Sequence, residues 1–134
     1  MTKIIIAGGR DFTLIDSIHY ELYKLIQDGH LPNKLELVCG MAKGADITAK
    51  KLFNTHHLKV HKRPADWQDM TTPCVPKHNK YGGLYNALAG MKRNHAMGDE
   101  ADVLLAFWDG KSKGTKDMID YMTKLGKPVF VVNY

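Results

Sequence analysis

The sequence predicts an α/β fold, and three observations carry that prediction. Apolar, β-branched runs recur at 3–7, 35–39, 58–61, 103–108 and 129–132, which gives five candidate strands. The chain between successive runs is long enough for a helix or a long loop, and helical periodicity fills most of it. No apolar run reaches the roughly 18–20 residues that span a bilayer. The N-terminal apolar segment runs into Gly8-Gly9 without the small-residue cleavage site of a signal peptide. A soluble, cytoplasmic protein with no membrane partner is the expectation.

Taken in order, residues 3–7 form the first strand. Ile15, Ile18, Leu22, Leu25 and Ile26 then repeat at three- and four-residue steps after a capping option at Asp16-Ser17, and Gly29 and Pro32 stop the helix. A strand over 35–39, a helix over 45–55 and a strand over 58–61 follow. The stretch 63–83 is long and irregular, with three prolines, Trp67 and the basic run Lys77-His78-Asn79-Lys80. Loops of that length act as lids or binding loops, or are passive insertions. Helices are expected over 84–98 and 116–125, the latter closed by Gly126 and Pro128, alternating with the strands at 103–108 and 129–132.

Such alternation demands a mostly parallel sheet with helices on both faces, because right-handed crossovers return each helix to the sheet. The expected architecture is one Rossmann-like domain over 1–134, its five-stranded sheet in the order 3-2-1-4-5. Its ligand crevice then opens between the C-terminal ends of strands 1 and 4. At 134 residues and 44% hydrophobic the chain has the size of one such domain.

The balance of 19 basic against 14 acidic residues, net +5, favours an anionic partner. Cys39 and Cys74 form no CxxC pair, and the seven histidines fall in no metal-ligand spacing, so no disulfide, metal or cofactor is expected. Three glycine-bearing segments end three of the strands: Gly8-Gly9-Arg10-Asp11, then Gly40 to Gly44 with Lys43, then Gly110-Lys111-Ser112-Lys113-Gly114-Thr115. Glycine lets backbone amides approach an anion, a following helix N-terminus adds partial positive charge, and the lysines and Arg10 add full charge. None of these loops is a P-loop, and Gly8-Gly9 lacks the third glycine of the dinucleotide fingerprint. Tight turns and an exposed basic loop are the plainer readings of each loop alone. Trp67 and Trp108 either stack on a base or cover the rim of the core.

Several of these segments occur in one order: Ile4-Ile5-Ile6-Ala7-Gly8-Gly9-Arg10-Asp11-Phe12, Gly40 to Asp46, Pro64-Ala65-Asp66-Trp67, Ala89-Gly90 with Arg93-Asn94 and Met97, and Ala101 to Thr115. Over nearly the whole chain this resembles the SLOG superfamily, and most closely its small stand-alone members of bacterial or phage type. That superfamily also holds phosphoribohydrolases, the DNA-processing protein DprA and sensors of nucleotide signals, so the resemblance implies a nucleotide-type pocket. The enzymatic branch places an arginine on a helix, matched here by Arg93, and a glutamate after a Gly-Thr turn. Met118 stands at that glutamate position, which removes the carboxylate expected beside the glycosidic bond. Asp117 is expected to point about 100° away on its helix. Asp46 and Asp11 are the other carboxylates able to face the cleft.

The leading expectation is therefore binding, for sensing or sequestration, of a phosphorylated nucleotide-derived small molecule: a nucleoside phosphate or an ADP-ribose-type compound. The residues expected to hold it are Gly8, Gly9, Arg10 and Asp11; Gly40, Lys43, Gly44 and Asp46; Trp67, Arg93 and Asn94; and Gly110, Lys111, Ser112, Lys113, Gly114 and Thr115. A phosphoribohydrolase using Arg93 is the second reading, and single-stranded nucleic-acid binding the third. Apolar Leu84, Tyr85, Leu88 and Met91 on the expected third helix suggest a homo-oligomer.

Overall fold

The computed structural model describes residues 1–134. In chain order its elements are β1 (Thr2–Gly8), α1 (Ile15–Gln27), β2 (Leu35–Cys39), α2 (Ala45–Thr55), β3 (Val60–Lys62), β4 (Pro76–His78), β5 (Leu84–Asn86), α3 (Ala89–Glu100), β6 (Val103–Trp108), α4 (Lys113–Lys124) and β7 (Val129–Asn133). Five strands form one sheet in the order β3-β2-β1-β6-β7, all neighbours parallel. This is the Rossmann-like order expected from the sequence, with β4 and β5 set aside as a separate antiparallel pair.

Strand alternation sorts the core into two layers. Ile4, Ile6, Leu37, Leu105 and Phe107 pack on one face with Ile18 and Leu22 of α1 and Ala49, Leu52 and Phe53 of α2. Ile5, Val38, Leu104 and Ala106 point the other way, onto Met97 of α3 and Met118 and Met122 of α4. A strand buried on both faces reads as a continuous apolar run, which is why β1 and β6 stand out in the sequence. No helix is long and apolar enough to cross a membrane.

The structure corrects four local expectations. Helix α1 has Leu14 at its N-cap with no side-chain cap, and Asp16 sits in the first turn, where a carboxylate favours the positive helix end. Helix α4 begins at Lys113 rather than 116, because the Ser112 hydroxyl accepts from the Thr115 amide at 3.4 Å and caps the extra turn. Helix α3 begins at Ala89 rather than 84. Leu84, Tyr85 and Asn86 instead pair with His78, Lys77 and Pro76 as a hairpin. The apolar surplus expected on the third helix is accordingly absent: Leu84 and Tyr85 lie in β5, and Leu88 and Met91 face a cleft. Lys127 ties β7 to the end of α3, its ammonium donating to the carbonyls of Gly98, Asp99 and Ala101 at 2.8, 3.0 and 2.7 Å.

Candidate functional site

The loops after β1, β2 and β6 meet at one rim of the sheet, as the strand order requires. They border a cleft of about 940 Å³ on the α3 and α4 side of the sheet. Ile5, Ala7 and Gly8 of β1 lie at its base, and Met91, Arg93, Asn94 and Met97 of α3 form one side. The first turns of α4 and the loop from Gly40 to Lys43 contribute further walls, with Pro64, Ala65 and Trp67 completing the lining.

Two glycines shape this rim for different reasons. Gly44 has φ 94° and ψ −127°, a region nearly closed to side chains, and a Cβ there would run into the backbone of Gly9 and Arg10. The loops after β1 and β2 are thereby locked together, with the Ala45 amide donating to the Gly9 carbonyl at 3.3 Å. At Gly40 the need is space: a Cβ would lie 2.8 Å from both the Arg93 Nη1 and the Asp46 Oδ2. Its absence lets a guanidinium and a carboxylate converge. Arg93 donates Nη1 to the Gly40 carbonyl and Nε to Asn94 Oδ1, the latter at 2.9 Å.

Asp46 accepts from the Ala42 amide at 3.3 Å. Burial pushes its carboxyl above the ordinary range, against the Ala42 hydrogen bond and the Arg93 charge, which pull it down. A native acid whose pKa is raised holds its proton to higher pH than the unfolded chain does. Stability is then greatest below the unfolded pKa and declines as pH rises through the folded one. Asp46→Asn should therefore melt at a higher temperature than wild type at neutral pH. In calorimetric scans across pH the gap should close below the usual carboxylate range, and a constant or inverted gap would contradict the burial argument.

The loop after β6 is built before any ligand arrives. Asp109 accepts from the Ser112 and Lys111 amides, both at 2.8 Å, and these bonds hold its carboxyl below the usual range. The Trp108 indole donates to the Ser112 carbonyl at 3.1 Å, a loop-holding role rather than a ligand contact. Of the residues expected to bind, Gly8, Arg10, Gly40, Lys43, Asp46, Trp67, Arg93, Asn94, Ser112, Lys113, Gly114 and Thr115 line the cleft. Five others lie outside its lining. Gly9 and Gly44 form the loop-to-loop contact, Asp11 accepts from the Tyr134 hydroxyl at 2.9 Å, and Gly110 and Lys111 turn around Asp109. None of Arg10, Lys43 or Lys113 pairs with a carboxylate of the chain. Arg93 also does not pair with the acids at its helix end, since Glu100 takes Arg63 and Lys3, and Asp99 takes Tyr121.

Met118 and Met97 are both core and cleft wall, 2% and 3% exposed. A thioether thus stands at the position where the resemblance places the carboxylate of the enzymatic branch. Asp117 joins Met118 in the lining, against the expectation from its helical angle, because the cleft meets α4 over an arc wide enough for adjacent positions. No three His, Cys, Asp or Glu side chains gather as a metal would require. Sequence reasoning also missed Asn86, which is fully buried. Its Oδ1 accepts from Val75 and Leu88 amides at 3.1 and 2.9 Å, and its Nδ2 donates to the carbonyls of Asp69 and Pro73 at 2.9 and 3.3 Å. Its amide donates to the Trp67 carbonyl at 2.8 Å. Lys92 of α3 adds an ion pair to Asp69 at 2.8 Å, and that bond with those from Thr71 holds the Asp69 carboxyl far below its usual range. The long excursion is thus an ordered flap that presents Trp67, 44% exposed, to the cleft.

Fold and cleft together define a Rossmann-like α/β protein with a cationic, partly apolar cleft at the C-terminal rim of its sheet. No family model and no curated protein matches the chain. Among solved structures it is similar to DNA processing protein A from Helicobacter pylori, a structure described for that protein's single-stranded DNA binding mode. The match has a TM-score of 0.60 and 22% identity, and it covers 97% of this chain and 64% of the other. The chain thus spans less than two thirds of that protein's chain. The likeness is one of fold, in agreement with the Rossmann-like strand order.

Proposed function

We propose that the protein, acting as one domain over residues 1–134, binds a phosphorylated, nucleotide-like small molecule in this cleft, for sensing or sequestration. The observation that carries the reading is the meeting of Arg10, Lys43 and Lys113, none with an acidic partner, on the lining of one cleft beside the first turns of α2 and α4. Unpaired cations and helix N-termini on a concave wall suit a phosphate group. The apolar Met91, Met97 and Met118 beside Trp67 suit the face of a base. The finer placement among small stand-alone relatives of bacterial or phage type belongs to this proposal and rests on the motifs alone.

A second reading, single-stranded nucleic acid, is favoured by the hairpin of β4 and β5. Lys77, His78 and Lys80 lie there beside Tyr81, which is 84% exposed, and the Lys80 ammonium sits over the Tyr81 ring at 5.1 Å. Exposed aromatics among cations suit a stacked strand, and the DNA-binding protein of similar fold adds weight. One experiment separates the readings: incubation at low and moderate salt with nucleoside monophosphates, NAD, ADP-ribose, cyclic nucleotides and a single-stranded oligonucleotide, reading bound mass by native mass spectrometry and free base by chromatography. Retention of an intact nucleotide is the expected result. Release of free base would mark a hydrolase instead. Binding of oligonucleotides alone, weakening steeply with salt, would overturn the small-molecule reading.

A further inference from the structure

Strand β7 closes one side of the sheet and pairs only with β6. Its sequence, Val129-Phe130-Val131-Val132-Asn133, has the continuous apolar run of an interior strand buried on both faces. Yet no residue of β7 is fully buried, whereas Val103 to Phe107 of β6 all are. Val131 points to the face of its register partner Ala106, but α4 lies over β6 there, and Val131 stays 41% exposed. The Leu104 amide donates to the Pro128 carbonyl and the Tyr134 amide to the Trp108 carbonyl. Alternation therefore turns the N–H and C=O of Phe130 and Val132 toward β6, and those of Val129, Val131 and Asn133 toward the open edge. The opposite edge is built differently. β3 has three residues, and Lys59, Lys62 and Arg63 lie in or beside it, the short, charged form that keeps an edge from pairing. β7 has five residues, no charge and no proline. Lys127 before it is turned back onto the carbonyls at the end of α3.

We propose that β7 is the docking edge for a second copy of this chain, paired antiparallel about a two-fold axis at Val131. In that register Val131 meets itself, Val129 meets Asn133 of the second copy, and Phe130 meets Val132. The first two pairs use the N–H and C=O groups that the chain itself leaves free at the edge. The third is an aromatic and β-branched pair, a favourable match across antiparallel strands. No charge faces a like charge along the seam. A foreign strand on an edge takes its specificity from pockets for alternate side chains, whereas β7 offers an order of side chains that matches itself. The two sheets join as one, and the opposed strand directions set the two clefts at opposite rims. No β7 residue lines the cleft, so docking leaves both clefts free, whatever they bind.

The test is sedimentation velocity of the intact chain over a wide range of concentration, with Val131→Lys and Val131→Pro beside it. Wild type should sediment as a dimer at the upper end of the range. Val131→Lys sets two ammonium groups against each other on the axis, and Val131→Pro removes an N–H that bonds nothing within the chain. Each should weaken the dimer by about a hundredfold or more. Melting curves confirm that the variants are folded, and hydrogen exchange on wild type gives a readout that no substitution can disturb. Where the dimer is populated, the amides of Val129, Val131 and Asn133 should exchange slowly, as those of Phe130 and Val132 do against β6. A wild type monomeric at every concentration overturns the proposal. So does a dimer that persists in either folded variant, or fast exchange at Val129, Val131 and Asn133 in the dimer.

Discussion

Replacing Lys43 and Lys113 together with alanine should weaken binding of adenosine monophosphate by about a hundredfold or more while leaving the melting transition in place. The two lysines come from different loops, after β2 and at the start of α4, and both border the cleft. Both are exposed, and neither forms an ion pair within the chain, so their removal strips nothing from the fold. Each hydrogen bond from a cation to phosphate contributes on the order of 1.5–3 kcal/mol, a tenfold to hundredfold effect per residue before solvent screening reduces it. Isothermal titration in low and moderate salt measures both the loss and its screening. The same variant should bind an uncharged nucleoside as wild type does. Equal loss for nucleoside and nucleotide would mean that the lysines shape the cleft rather than hold phosphate. Arg93→Ala is a poorer probe, because Arg93 also holds the Gly40 carbonyl and Asn94.

The contrast between Lys43 and Gly44 shows how far the sequence could be read. Strand β2, helix α2 and strand β6 fall where periodicity and turn signals place them, because each packs on a regular sheet whose pattern repeats along the chain. A doubly wound sheet followed from alternation and handedness, and the Rossmann order expected for it gathered the loops holding Gly8, Gly40 and Lys113 without any knowledge of contacts. Which loop residue faces the cleft and which faces its neighbour was not legible. Gly44 and Gly9 carry the same signal as Gly8 and Gly40, yet a φ of 94° at Gly44 assigns it to a loop-to-loop contact. Lys111 and Lys113 read alike until Asp109 takes the Lys111 amide and Ser112 caps the helix that starts at Lys113. Asp117 was hidden for a third reason. Helical angle from a neighbour predicts one face of a cylinder, whereas the cleft meets α4 over an arc that takes in Lys113, Asp117 and Met118.

Asn86 was the least legible of all, and Asn86→Ala should have the largest local effect on the flap. In sequence it is one polar residue in a turn-rich stretch, with nothing to mark it as fully buried. Its side chain nevertheless serves two amides and two carbonyls drawn from residues 69 to 88. Alanine removes all four of these part-buried hydrogen bonds at once, and each group that water does not reach costs about 1–3 kcal/mol when left unmatched. Neither core cluster takes a residue from 63–88, so the loss falls on the flap and not on the sheet beneath it. The expected outcome is local opening: trypsin should cut at Lys77 and Lys80 many times faster, while the main thermal transition moves little. The backbone N–H of Asn86, which donates to the Trp67 carbonyl and persists in the alanine variant, moves with the flap, so an opened flap should withdraw the indole from the cleft and weaken nucleotide binding. Ligand bound beneath an intact flap should slow the same cleavage in wild type, by mass action on the closed state. Unchanged proteolysis in Asn86→Ala would mean that Lys92 and Asp69 alone hold the flap closed, and added Lys92→Met would then be the change that frees it.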